Sequence, residues 1–240
     1  MHKLIAELRR LYLHEQQQHG GQALSPALLE QHLRGETTLV LPLLDASGAT
    51  RTLVLQFPGT PQEQWEALCT TANALQHDVD FPAPAVSISG DDAFGLWLSL
   101  ATPVPLAQAQ RLAALLGAVL HEGGATVTLP PSFNAASGKW AAFIHPGMGS
   151  SFAEEPGLEM APPAAAQAAF LEPLQSISSA QFAHALTTLE PAAVDAVSEI
   201  RPPLPTPHGL LLKDATLDDI VRFLHAKHIE PTFRYLIDKG

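Results

Sequence analysis

Three pairs of short apolar runs, each followed by a segment with helical spacing, constrain the fold of this chain most strongly. The paired runs span residues 38–44 and 52–57, 85–89 and 94–100, and 125–129 and 139–144. The helical segments that follow begin near residues 61, 105 and 164. Because strands joined by short loops pair antiparallel, this order predicts an α+β fold. Its core is a mostly antiparallel sheet with helices packed on it.

Local motifs mark several boundaries of these elements. The polar loop at residues 45–48 predicts that the first pair of runs forms a hairpin. The turn at residues 90–92 predicts a second hairpin. Thr60, with Glu63 three residues later, forms a capping-box pattern at the start of the next helix.

The ends of the chain differ from its middle and predict a division into four parts. Apolar residues recur at helical spacing near both ends, which predicts helical segments at 1–34 and 213–240. The main domain is predicted at 35–178. A linker region is predicted at 179–212 because its second half is rich in proline.

The charge distribution bears on the partners of the protein. The net charge is −11, and residues 36–212 hold sixteen acidic but only four basic residues. Nucleic-acid binding draws its affinity from Lys and Arg, so direct binding by this core is disfavoured. The balance instead favours a protein partner with a basic surface.

Cysteine usage and hydropathy bear on localisation. Cys69 is the only cysteine, which excludes an intrachain disulfide and a thiolate metal cage. The amphipathic, charged N-terminus lacks a signal-peptide pattern, and no apolar stretch reaches the roughly 18 residues of a membrane span. We therefore expect a cytoplasmic protein without membrane partners.

Two places in the sequence are candidates for metal-dependent chemistry. The apolar strand RTLVLQFPG ends at Gln56 and Pro58, where neither residue is an acid, a base or a good metal ligand. Asp78 and Asp80 form the only D-x-D pattern in the chain and are a candidate metal site. Their position between a predicted helix and Phe81 favours a solvated turn instead.

Residues 33–177 resemble the archaeo-eukaryotic primase superfamily, the primase-polymerases, in the form found in mobile-element and defence operons. HLRGETTLVLPLL, RTLVLQFPG and SISGDDAFGLWLSLATPVP are similar to successive strand motifs of that family. AQRLAALLGAVL is similar to the following helix, and WAAFI and AAFLEPLQSI are similar to the end of its catalytic module. The resemblance implies an RRM-like sheet.

The resemblance also implies a nucleotide cleft with altered chemistry. Family members hold two Mg²⁺ ions with two aspartates, and the matching positions here are Gln56 and Pro58. A family histidine that contacts phosphates falls at Gly95. Ser87 and Ser89 alternate on the preceding strand and are expected to face the same cleft. All three matched catalytic positions are lost, which implies a degenerate site without a cofactor.

Three functions follow from this interpretation. The first is a non-catalytic interaction or regulatory subunit of a DNA-processing or anti-phage defence system, with its terminal helical segments contacting the partner. The second is an active, Mg²⁺-dependent nucleotidyltransferase with atypical ligands, drawn from Asp78, Asp80 and Asp91. The third is a nucleotide-binding sensor that has kept the pocket and lost the metals.

Overall fold

The computed structural model describes residues 1–14, 17–154 and 156–190 and has an α+β fold, as predicted. Within these residues six α-helices are present. They are α1 (His2–Tyr12), α2 (Pro26–Leu33), α3 (Pro61–His77), α4 (Leu106–Leu115), α5 (Ala164–Leu171) and α6 (Ser179–Leu189). Two short 3₁₀ segments span His121–Gly124 and Pro146–Phe152.

The described strands form one six-stranded sheet and two small ribbons. They are β1 (Gln18–His19), β2 (Gln22–Ala23), β3 (Val40–Pro42), β4 (Ala49–Gln56), β5 (Ala85–Ile88), β6 (Phe94–Pro105), β7 (Val119–Leu120), β8 (Thr126–Thr128), β9 (Ser132–Asn134) and β10 (Lys139–Ile144). The sheet has the order β7-β4-β6-β5-β10-β9, and every neighbouring pair is antiparallel. The ribbons are β1–β2 and β3–β8.

The sheet is covered differently on its two faces. Helices α3, α4 and α6 pack on the first face and bury a continuous apolar cluster with it. A second cluster lies on the other face, where side chains of α1, α2 and α5 and of the β3–β8 ribbon pack. That second cluster includes the ring contacts of Tyr12 with Trp97 and Phe143. The sheet is therefore the middle layer of the fold.

Local capping signals account for where two helices of the first face begin. The Thr60 hydroxyl accepts a hydrogen bond from the Glu63 N–H, and the Glu63 carboxylate accepts one from the Thr60 N–H. This is the predicted capping box of α3. Ser178 and Gln181 form the same arrangement at α6, which satisfies backbone donors that a helix start leaves free.

The first predicted hairpin is confirmed only next to its turn, where Leu44 and Thr50 form an isolated antiparallel bridge. Asp45 does form a tight turn, since its carboxylate accepts hydrogen bonds from the Ser47 and Ala49 N–H groups. Strand β3, however, pairs with β8 rather than with β4. The reason is burial: the leucines that alternate along 39–43 pack into the second cluster beside the N-terminal helices.

The ends of the predicted domain also need correction. The segment 1–34 does hold helices, but the apolar side of α1 is buried in the second cluster, so it is unavailable to a partner. The linker predicted at 179–212 starts too early, because α6 places Phe182 and Ala185 in the first cluster. The predicted C-terminal segment at 213–240 lies outside the described residues.

Candidate ligand-binding cavity

A cavity of about 620 Å³ lies on the part of the second sheet face that the helices leave uncovered. Side chains of β4, β5 and β6 form one side of the lining, among them Val54 and Trp97. The β3–β8 ribbon and the segment 130–136 form the other side. The cavity is thus built from strands far apart in sequence, which the sheet order brings together.

Four of the five sequence-predicted cleft positions line this one cavity. Gln56, Ser87, Ser89 and Gly95 all belong to its lining. Pro58 does not: it lies beyond the end of β4 and is exposed. The strand alternation that predicted a shared face for the two serines therefore places them in a single pocket with Gln56.

Gly95 lies in a narrow space beside two polar side chains. Gly95 pairs with Ser87 across β5 and β6, and the Trp97 indole N–H donates a 2.8 Å hydrogen bond to the Ser87 hydroxyl. A Cβ atom on Gly95 would lie 2.9 Å from the Ser87 Oγ and 3.1 Å from the Trp97 Nε1. A larger side chain at residue 95 therefore fits only if this pair moves apart.

Ser89 has a structural role at the end of β5. Its hydroxyl accepts hydrogen bonds from the N–H groups of Asp91 and Ala93, which close the β5–β6 turn. The second predicted hairpin is confirmed by the antiparallel pairing of these strands. Asp91 lies in that turn and outside the cavity lining.

Gln56 is the polar group best placed to contact a ligand. It is half-buried at the last position of β4, where it pairs with Val119 of β7. Its amide makes no hydrogen bond to any described residue. The same is true of the side chains of four other residues in the lining: Thr38, Thr126, Thr128 and Ser132. Side-chain donors and acceptors that can bind water or a ligand thus line the cavity.

The lining carries little charge within the described part of the chain. Its only ionisable side chains are those of His121 and Glu122. Burial lowers the pKa of His121, and the nearby Glu122 carboxylate opposes that effect only partly. His121 is therefore neutral at pH 7, and the lining holds at most one negative charge, on the exposed Glu122.

These residues do not fit a two-metal centre. Mg²⁺ prefers an octahedron of oxygen ligands with one or two carboxylates for each ion. The lining offers one carboxylate, and the described residues contain no group of three or more His, Cys, Asp or Glu side chains that would hold a metal. Among the described residues, the cavity therefore lacks the carboxylate ligands that two-metal phosphoryl transfer requires.

Asp78 and Asp80 lie away from the cavity and have ordinary structural surroundings. Asp78 is the C-cap residue of α3, and both side chains are exposed. Asp80 has a left-handed backbone, and its carbonyl accepts a 2.6 Å hydrogen bond from the Gln181 amide of α6. The D-x-D pattern thus forms a helix-terminal turn to which α6 is docked.

The contribution of the β3–β8 ribbon to the cavity was not predicted from the sequence. Thr126 and Thr128 flank the buried Val127, so their alternation was a signal for a strand with one polar face. His121 was missed because the helix was predicted to run from Pro105 to Leu120, directly before it, whereas α4 ends at Leu115. The short strand β7 follows and carries His121 to the cavity beside Gln56.

Comparison with known proteins adds no functional assignment. No protein-family model matches the chain, and no curated protein is significantly similar to it in sequence. In the described part of the chain, every helix is too short or too polar to cross a membrane.

Proposed function

We propose that this protein is a non-catalytic, primase-polymerase-like protein that binds a small ligand on its sheet. It acts as an interaction or regulatory subunit of a DNA-processing or anti-phage defence system in the cytoplasm. The observation that carries the proposal is the shared cavity of Gln56, Ser87, Ser89 and Gly95. These are the positions at which the resemblance to primase-polymerases expects a nucleotide cleft.

The chemistry of the lining supports a loss of catalysis. Nucleotidyl transfer relies on metal ions that carboxylates hold against the phosphates. Gln56 offers a neutral amide where the family has a metal ligand, and Pro58 offers none. The alternative ligands Asp78 and Asp80 lie outside the cavity, so an active nucleotidyltransferase has less support.

The charge of the described surface supports a protein partner with basic groups. Asp78, Asp80, Asp91 and Asp92 are exposed and form no ion pair with another described residue. Uncompensated carboxylates attract basic surfaces and repel nucleic acid. Because the apolar side of α1 is buried, the acidic surface is a better candidate for docking than that helix.

Thermal melting and nucleotide incorporation test the loss of catalysis. Purified full-length protein is heated with MgCl₂, with or without NTPs or dNTPs, and is assayed for incorporation on primed and unprimed DNA. We expect no metal-dependent rise in Tm and no incorporation. Incorporation that disappears in the D78A/D80A variant would overturn the proposal in favour of an active nucleotidyltransferase.

The nucleotide-sensor alternative is favoured by the same cavity and is separated by a further measurement. A sensor binds its ligand without metal, so a stabilising ligand raises Tm in EDTA as well as in MgCl₂. A shift in EDTA without incorporation would identify a ligand-dependent regulator. No shift with any nucleotide would leave protein partners as the route of regulation.

A further inference from the structure

We infer that the cavity binds a nucleobase or a nucleoside without phosphates. Such a ligand has a planar, uncharged ring with amide-like donors and acceptors on its edge, and the Gln56 amide forms hydrogen bonds with that edge. The inference rests on the proposed function, because it concerns the same non-catalytic cleft. It departs from what the family resemblance implies, which is a metal-bound nucleoside triphosphate.

The first support is the state of the Gln56 side chain. A primary amide offers a donor and an acceptor in one plane, which matches the paired donor and acceptor on a base edge. Gln56 is half-buried in the cavity lining and has no hydrogen-bond partner among the described residues. A half-buried amide gains free energy when a ligand satisfies both of its groups.

The second support is the apolar surface beside Gln56. Val54 precedes it on the same face of β4, and Trp97 is the partner of Val54 on β6. The Ser87 hydrogen bond fixes the Trp97 indole in this position. Phe133, half-buried, lines the cavity from the segment after β8. Val54 and Trp97 are only 5% and 3% exposed, so they form the floor of the cavity, and Phe133 is the more accessible aromatic ring of the lining. Apolar and aromatic side chains around a polar group are the usual surroundings of a bound ring.

The third support is the charge of the lining. No Lys or Arg of the described residues lines the cavity, and Glu122 adds a carboxylate. Phosphates in protein sites are held by Arg, Lys, metal ions or helix N-termini. A triphosphate would bring several negative charges near Glu122 without a compensating cation. Affinity is therefore expected to fall from nucleoside to monophosphate to triphosphate.

The remaining polar groups suit an uncharged ligand with hydroxyls. Thr126, Thr128 and Ser132 line the ribbon side, and their side chains have no partner among the described residues. Hydroxyl groups donate and accept, so they can bind sugar hydroxyls or a second ring edge. The volume of about 620 Å³ lies within the usual range of small-ligand pockets, about 300–1,000 Å³.

Isothermal titration of the full chain tests the inference. The probes are adenosine, guanosine, cytidine and uridine, each compared with its free base, its monophosphate and its triphosphate, in MgCl₂ and in EDTA. At least one nucleoside or base is expected to bind at least about tenfold more tightly than its triphosphate, independently of Mg²⁺. Triphosphate binding that is equal or tighter, or no binding of any nucleoside or base at millimolar concentration, would overturn it.

A variant pair tests the role of Gln56. Q56L removes the amide at nearly constant volume and should weaken binding at least about tenfold. The control is Q62L, on the exposed side of α3 and outside the cavity, which should bind as the wild type does. If circular dichroism shows that Q56L is unfolded, Q56E replaces it, and the added charge and lost donor should weaken binding. Unchanged affinity in a folded Gln56 variant would refute the assigned role.

The outcomes keep this inference separate from the proposed function. Metal-dependent incorporation of nucleotides would refute the proposed function whatever the nucleosides do. Tight triphosphate binding without incorporation would refute the inference and leave a non-catalytic protein. A free base that binds as tightly as its nucleoside would show that the ring alone is recognised and that the hydroxyls of β8 contribute nothing.

Discussion

The two faces of the sheet are built from the same strands yet differ in chemistry. On β4, Leu55 points into the apolar cluster under α3 and α4, while the next residue, Gln56, lines the cavity. On β6, Leu96 is fully buried on the first face, and its neighbours Gly95 and Trp97 line the cavity on the second. One residue step along a strand thus separates core from binding surface.

The difference shows where this fold gains stability and where it keeps free hydrogen-bonding groups. The first face is closed by helices and holds almost only apolar side chains, so its contribution comes from burial. The second face is covered only in part, and unpartnered hydroxyl and amide groups remain on its uncovered part. Polar groups are tolerated there because water or a ligand can satisfy them.

A large-to-small substitution on the closed face should have the largest effect on stability. L96A removes a fully buried side chain, and we expect a loss of about 2–5 kcal/mol in the free energy of unfolding. The matched substitution V40A, at a residue that lines the cavity and is 51% exposed, should change it by less than about 1 kcal/mol. Urea denaturation of both variants measures the contrast, and equal effects would show that the faces do not differ in this way.

The covered part of the second face depends on a buried amide. The Gln167 side chain on α5 accepts a hydrogen bond from the Phe143 N–H and donates one to the Phe143 carbonyl, at 2.8 and 2.9 Å. Q167L leaves both backbone groups unsatisfied, and we expect a loss of about 2–4 kcal/mol. The exposed Q175L is the control and should be nearly neutral. The midpoints of urea denaturation of the two variants measure this difference. If Q167L were as stable as the wild type, water would have to replace the lost amide.

The close approach at Gly95 gives a smaller effect that is confined to the cavity. In G95A the new methyl group would displace the Trp97–Ser87 pair, and we expect about 1–3 kcal/mol of destabilisation. Trp97 fluorescence should change with the loss of its hydrogen bond. G147A is the matched control, because its nearest neighbour is the exposed His145 side chain, which can move. If G95A left fluorescence and stability unchanged, the Trp97–Ser87 pair would be able to make room for the added methyl group without cost.

Local signals account for the parts of the fold that the sequence predicted correctly. The capping box at Thr60 and the turn after Ser89 act within a few residues, so their hydrogen bonds can be read from the sequence. Alternation along β5 also placed Ser87 and Ser89 on one face. These are properties of a single strand or turn and need no knowledge of its neighbours.

Long-range pairing explains what the sequence did not predict. Val40 pairs with Thr128, 88 residues later, and no turn connects the two strands. The competition between β4 and β8 as partners of β3 was decided by burial of leucines against α1 and α2, which is a tertiary effect. The side of the cavity that contains the β3–β8 ribbon, here called the ribbon wall, depends on that pairing. About half of the lining could therefore be found only in the structure.

The smallest expected effect is a pH dependence of stability that arises from a histidine next to the ribbon wall. His32 on α2 is buried; its Nε2–H donates to the Leu129 carbonyl at 2.8 Å, and its Nδ1 accepts from the Leu39 N–H at 3.1 Å. Both partners adjoin residues of the cavity lining, and the neutral ring joins the two strands of the wall to α2. Protonation of Nδ1 would remove its acceptor and break the bond to Leu39.

The sign of this pH effect follows from the pKa of His32. Burial lowers that pKa, and the hydrogen bond to Leu129 opposes the shift only partly. The unfolded chain takes up this proton near pH 6.5, before the folded chain does, so stability is full above about pH 6.5 and falls as the pH drops below it. Urea denaturation from pH 7.5 to 5.0 should give a steeper fall for the wild type than for H32Q, which has no group to titrate there. If the stability curves of the wild type and H32Q were parallel, His32 would take up its proton at the same pH in the folded and unfolded states. The ribbon wall would then be insensitive to acid.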